Sequence, residues 1–279
     1  MTSEDMSSED TTIKDVPDLP DTLTTDVRGD VAVLTLRRPA KRNAIDDETV
    51  LGLEAFFLAP PPGVRVVVLD GEGEHFCAGL DLSSLSATSL EEGLHHSRMW
   101  HRAMSAIEFG RVPVVSVLKG AVIGGGLELA SATHLRVAES SAFYALPEGQ
   151  RGIYLGGGGS VRLPRLIGVW RMVDLMLTGR VYDAAEGHTA GLSHYLVETG
   201  QGLPAALELA AKVATIAPMT AYAVLHALPR IADAGPQEGY LMESLMAAVA
   251  QSTDEAKGRL QDFLAGRAAK VTATEGDAR

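Results

Sequence analysis

The sequence predicts an α/β fold, and three observations carry the prediction. Four short segments, residues 31–36, 64–70, 112–118 and a brief one at 134–138, read as strands, the run from Val64 being apolar and rich in valine as buried strands are. Segments of helical character, 46–59 and 90–108, alternate with them, as in folds where helices cover a sheet. Beyond Arg165 the chain turns mainly helical, through 169–177, 184–190, 203–216, 221–232 and 237–265.

From the beginning of the chain the elements take up distinct roles. Residues 1–20 carry Glu4, Asp5, Glu9, Asp10, Asp15 and Asp18 against Lys14 alone, with little apolar material and no cationic start. This reads as a disordered acidic tail and resembles neither a signal nor a transit peptide. Residues 21–215 form the expected core, and 216–279 a C-terminal helical region. The run 64–70 leads into Phe76-Cys77-Ala78-Gly79-Leu80-Asp81-Leu82, and the run 112–118 into Gly124-Gly125-Gly126-Leu127-Glu128. A chain leaving a strand through glycine exposes backbone N–H groups, and the missing side chains let a ligand approach them. Two such groups converging on one point would stabilise an oxyanion.

Glu128 and Glu148 are the candidate acid/base pair. Glu128 precedes Leu129-Ala130-Ser131-Ala132, so a helix beginning near Gly126 would carry it into an apolar, buried segment and raise its pKa. Glu148 stands between Pro147 and Gly149, twenty positions on. Acid/base chemistry at carbon calls for two carboxyls in different environments, one holding a proton while the other accepts one.

Composition narrows the function classes. A chain of 279 residues with 46% hydrophobic content buries a sizeable core. The tail holds −5 of the formal −12 charge, and the remaining −7 argues against a nucleic-acid partner, which needs a basic face. No stretch reads as a membrane span. One local basic cluster, Arg37, Arg38, Lys41 and Arg42, is of a size for one ligand's phosphates. Cys77 is the single cysteine, so no intramolecular disulfide forms and a cytoplasmic setting follows. It reads as a small buried hydrophobe, and His95, His96 and His101 as a solvated helix face without metal-ligand spacing. The Gly156 to Gly159 run lacks the Lys-Ser or Lys-Thr pair of a phosphate loop.

Four blocks carry a resemblance. Arg38-Pro39 with Lys41-Arg42-Asn43-Ala44, then residues 76–82, then 124–128, then Pro147-Glu148 with Gly152 and Gly156, look in their order and spacing like the enoyl-CoA hydratase/isomerase, or crotonase, superfamily. The resemblance runs from about Val31 to the C-terminal helix. It implies a spiral of repeated ββα units followed by helices that build trimers, or dimers of trimers. It implies an acyl-CoA thioester substrate, with no metal and no cofactor beyond the CoA that the substrate carries. It assigns the N–H groups of Leu80 and Gly125 to an oxyanion hole and the catalytic carboxyls to Glu128 and Glu148, with Glu148 exchanging a proton at the α carbon. Substrate contacts are implied at Ala44, Ala78, Leu80, Asp81, Leu82, Ser83 and Gly125, the stretch 80–83 as a strand, with Lys41 and Arg42 near the CoA phosphates. The C-terminal helix, with Phe263, Arg267 and Lys270, reaches a neighbouring copy's site in similar proteins.

The implied reaction is hydration of an enoyl-CoA. An enoyl-CoA isomerase and a non-catalytic acyl-CoA-binding homologue are the alternatives, and an RNA-binding relative is disfavoured by charge. One departure concerns the acyl pocket, because Leu155 stands where many family hydratases carry proline. The segment 146–152 also resembles a bacterial subgroup that includes hydratases of methylthioacryloyl-CoA.

Overall fold

The computed structural model describes residues 18–84 and 89–268. The chain divides into two compact units between Ala211 and Lys212.

In the first unit, β1 (Leu23–Arg28) and β2 (Val31–Leu36) form an antiparallel hairpin closed by Gly29-Asp30, with Gly29 at φ 61°. After β2 come α1 (Asp47–Leu58), β3 (Val66–Gly71), α2 (Leu90–Glu108), β4 (Val114–Leu118), β5 (Ala121–Ile123), α3 (Gly125–Ala132), β6 (Leu135–Glu139) and β7 (Phe143–Ala145). Then follow α4 (Gly159–Ile167), α5 (Val169–Thr178), β8 (Tyr182–Asp183), α6 (Ala184–Ala190), β9 (Tyr195–Val197) and α7 (Gly202–Ala214), whose last turn crosses the division. The larger sheet has the order β1-β2-β3-β4-β6-β9, parallel except at its β1 edge, and the smaller one the order β5-β7-β8.

The four expected strands are the inner strands β2, β3, β4 and β6. Every residue of β3 and β4 is buried, which explains continuous rather than alternating apolar sequence. The strand β1 is different. Leu-Thr-Thr-Asp-Val-Arg alternates in burial because an edge strand keeps one face wet, so it lacks the apolar run that marks its neighbours.

Caps fix the helices that bear on the site. Asp46 accepts from the Thr49 N–H at the start of α1, and Ser89 with Glu92 forms a capping box at the start of α2. The buried stripe of α2, Trp100, Ala103, Met104 and Ile107, repeats at helical spacing, and this helix packs against α1. Helix α3 starts at Gly125, one residue before the expected position, and all eight of its residues are buried.

Two expectations are corrected. Residues 80–83 are not a strand: Leu80 makes one isolated bridge to Ile45, and Leu82–Ser84 is a 3-10 turn, because Asp81 turns back to cap Ser83. The helix expected over 237–265 is two, α10 (Pro236–Ser252) and α11 (Asp254–Leu264), because Thr253 is an N-cap whose side chain accepts from Ala256.

The second unit contains α8 (Pro218–Tyr222), a π-helical turn (Ala223–Ala227), α9 (Leu228–Asp233), α10 and α11. The π turn abuts Pro229, which supplies no N–H and crowds the carbonyl four residues back. Tyr240, Leu241 and Leu245 of α10 and Phe263 and Leu264 of α11 are exposed. Lys270 lies outside the described residues, as do residues 1–17 of the expected acidic tail. Among the described residues no single helix is long and apolar enough to cross a membrane.

Candidate active site

A cavity of about 320 Å³ opens where four segments meet. Ala78, Gly79 and Leu80 come from the turn after β3. His96, Ser97 and Trp100 project from α2, Gly124, Gly125 and Glu128 come from the start of α3, and Glu148, with residues from Arg151 to Gly157, closes the remaining side. Glycine-led turns 45 positions apart in sequence therefore border one space.

Glu128 is 4% exposed. Its Oε1 accepts the N–H groups of Gly157 and Gly159, each at 2.8 Å. A Cβ on Gly159 would stand 2.7 Å from Glu128 Cγ, so the approach requires glycine. Burial pushes the carboxyl above its ordinary range, opposed by those two N–H groups and by the guanidinium of Arg162.

Glu148, 7% exposed, has an Oε2 with no partner among the described residues. Burial raises its pKa, the charge on Glu128 raises it further, and its own N–H and Arg151 only partly oppose them. Gly124 makes room for it: φ is 53°, and a Cβ there would lie 2.5 Å from Glu148 Oε1.

The two backbone amides come together as well. A Cβ built on Gly125 would stand 3.2 Å from the Leu80 nitrogen, and one on Gly79 3.1 Å from the Gly125 nitrogen. Among the described residues neither N–H donates to a protein acceptor. Gly125 opens a helix, where N–H groups lack intrahelical partners and the dipole favours negative charge.

The remaining sequence candidates fall into two sets. Ala78, Leu80, Leu82 and Gly125 line the cavity with the two carboxyls. Lys41, Arg42, Ala44, Asp81 and Ser83 belong to a polar knot beside it. Asp81 accepts from Arg38 and Lys41, each at 2.8 Å, and from Ser83 Oγ at 2.6 Å. These donors, Lys41 foremost, hold its carboxyl far below the usual range. Arg38 also donates to the Ala44 carbonyl, and Arg42 sits at φ 51° with its own carbonyl accepting from Ala78. The buried Asn43 ties this loop to the carbonyls of Glu72 and His75.

Sequence reasoning missed the α2 wall. His96 lines the cavity and bonds Asp47 at 2.8 Å, instead of lying on a solvated face with the exposed His95. The reason is its spacing of four from the buried Trp100. Ser97 donates to the Gly156 carbonyl at 2.7 Å and pins the glycine loop. Tyr154 and Arg151 border the cavity on exposed side chains, while Leu155 is buried. Cys77 is fully buried, which pushes its thiol to about 12.

Comparisons with known proteins decide the family. The sequence pattern of the enoyl-CoA hydratase/isomerase family matches residues 26–272. The chain belongs to that family. It is 31% identical over 246 residues to enoyl-CoA hydratase EchA19 of Mycobacterium tuberculosis, covering 86% of this chain and 92% of that one. It is also 31% identical over 254 residues to (E)-benzylidenesuccinyl-CoA hydratase of Thauera aromatica, covering 86% and 95%. A crystal structure of a provisionally named enoyl-CoA hydratase from Rhodopseudomonas palustris superposes with a TM-score of 0.86 at 59% identity, covering 90% of this chain and 97% of that one. The fold is the crotonase fold of this family, and an acyl-CoA substrate is consistent with membership.

Proposed function

We propose that this family member is an enoyl-CoA hydratase that adds water across the 2,3 double bond of an enoyl-CoA thioester. The observation that carries the reading is one cavity lined by two buried carboxyls of unequal compensation and by two amides that donate to no acceptor among the described residues. The Leu80 and Gly125 N–H groups would hold the thioester oxygen as negative charge grows on it. Glu128, compensated by two amides, is the better carboxylate and takes a proton from the water attacking C3. Glu148, with an uncompensated oxygen, holds its proton more tightly and gives it to C2. Exchange with solvent then returns Glu128 and Glu148 to their starting states. The chemistry requires no metal and no cofactor besides the CoA of the substrate.

The CoA moiety would run along Ala44, Ala78 and residues 80–83. Lys41 and Arg42 would meet its phosphates, and the half-exposed Lys41 would then share its charge between a phosphate and Asp81. The assembly in this reading is a homotrimer or a dimer of trimers in a cytoplasmic setting, and the exposed apolar side chains of α10 and α11 support self-association.

The test is hydration of crotonyl-CoA by wild type beside Glu128→Gln and Glu148→Gln, with acyl-CoA binding measured for each. Turnover lost in both variants with binding kept supports the two-carboxyl hydratase. Turnover of a 3-enoyl-CoA without hydration would replace it by an isomerase.

A further inference from the structure

Behind the loop that grips Glu128 lies a buried guanidinium. Arg162, on the first turn of α4, donates Nη2 to the Gly157 carbonyl at 2.5 Å and Nε to Ser131 Oγ at 3.1 Å, and Nη1 lies 3.4 Å from Glu108 Oε2. Its side chain is 11% exposed. The three contacts reach three elements: the glycine loop, α3 and the end of α2. Gly158, between the two residues whose N–H groups bind Glu128, sits at φ 90°, and a Cβ there would lie 2.8 Å from Arg162 Nη1. The loop is thus shaped from both sides, by Glu128 accepting its N–H groups and by Arg162 donating to its carbonyl.

We propose that Arg162 is a positioning residue for Glu128: fixed between Glu108, Ser131 and the Gly157 carbonyl, it holds the loop so that Gly157 and Gly159 aim their N–H groups at Oε1, and it keeps a positive charge behind that carboxylate. The inference deepens the hydratase reading, which makes Glu128 the base, but its physical content concerns Glu128 alone. Two further observations agree. Burial lowers the Arg162 pKa from its ordinary value, and the charges of Glu108 and Glu128 oppose it by favouring the guanidinium cation. Ser131, which accepts from Arg162, donates its own hydroxyl to the Glu128 carbonyl at 2.6 Å, so the guanidinium is tied to the backbone of the residue it serves.

The charged and titratable groups around this centre come from four elements. Glu148 faces Glu128 from the turn after β7 with Arg151 beside it, Arg162 lies on α4, Glu108 and His101 approach Arg162 from α2, and Glu128 itself is on α3. Burial lowers the His101 pKa, and the charges of Arg98 and Arg162 lower it further. The sign of each substitution follows. Removing the Arg162 charge raises the pH at which Glu128 ionises, whereas removing the Glu108 charge leaves Arg162 less neutralised and lowers it.

The experiment follows Glu128 directly by ¹³C NMR of labelled glutamate carboxyls, its signal identified by loss in Glu128→Gln, together with the acid limb of kcat for crotonyl-CoA hydration. In Arg162→Gln the Glu128 titration moves up by about one pH unit, and kcat falls about 10-fold to 100-fold while KM changes little. Arg162→Lys restores the titration more than kcat, because a point charge lacks the fork that reaches Ser131 and Gly157 together. Glu108→Gln, at a partly exposed site, moves the titration down. A folded Arg162→Gln that leaves the Glu128 titration in place overturns the proposal, as does a Glu108→Gln that moves it up. Should Arg162→Gln fail to fold, Glu108→Gln and Arg162→Lys decide by the same signs. Absence of crotonyl-CoA turnover in wild type would count against the hydratase reading, while the NMR titrations would still judge Arg162.

Discussion

Glu128 and Glu148 are the same side chain, buried to nearly the same degree, yet the two sides of the cavity treat their charge differently. On the α3 side one oxygen receives two N–H groups and a guanidinium stands behind it; on the other side an oxygen receives no donor among the described residues. Burial alone would push both carboxyls up. Compensation is what separates a group suited to accept a proton from one suited to hold it. Asp81 is a third point on this scale: two cations and a hydroxyl saturate it and remove it from proton chemistry.

Substitutions test the comparison. The largest effect is expected from Glu128→Gln and Glu148→Gln, each lowering kcat by about 10²–10⁴ with CoA-thioester binding kept. The double variant should be little worse than the singles, since groups that act as a unit do not add. Steady-state kinetics with a binding assay would expose independence if the losses multiplied. Next comes Gly124→Ala, where positive φ and the 2.5 Å approach to Glu148 Oε1 combine. It should cost about 10²-fold in kcat by displacing that carboxyl, and an active Gly124→Ala would show that Glu148 tolerates movement.

Stability gives the smaller effects, with opposite signs. Asp81 has a depressed folded pKa, so its contribution is present above the ordinary Asp value of 3.8 and lost as pH falls through the folded pKa. Asp81→Asn should lower Tm by about 3–6 °C at pH 7, with the gap closing in acid below that value. Glu148 has a raised folded pKa, so its ionisation costs stability as pH climbs past the ordinary Glu value of 4.5. Glu148→Gln should therefore raise Tm by about 2–4 °C at pH 7, and by less near pH 4. Scanning calorimetry across pH checks both, and a Glu148→Gln protein less stable at pH 7 would reveal compensation for that carboxylate beyond the contacts seen.

The sequence made the framework legible where one physical signal acted alone. Doubly buried strands announce themselves as valine runs, and a glycine-led apolar segment places Glu128 inside α3. Elements without a signal of their own were opaque. Strands β5 and β7 have three residues each and are defined by their pairing in the small β5-β7-β8 sheet, and α4 begins on glycine and contains Pro164. The α2 wall was hidden for another reason. His96, Ser97 and Trp100 become site residues through the direction their helix face takes, and charged neighbours made that stretch read as solvated. Thr253 was readable: Thr followed by Asp254 and Glu255 is a helix start, but the long apolar pattern around it concealed the break.

Cys77 lies in the turn that carries Leu80, and it is the chain's one thiol. Sealed from solvent and with its thiolate suppressed, it reacts with an alkylating reagent only while that turn is open. Its labelling rate in the native protein is therefore a clock for local opening of one wall of the cavity, read by mass spectrometry without introducing a probe. Slower labelling in the presence of an acyl-CoA would measure how far a ligand on the Leu80 amide tightens the turn beneath it.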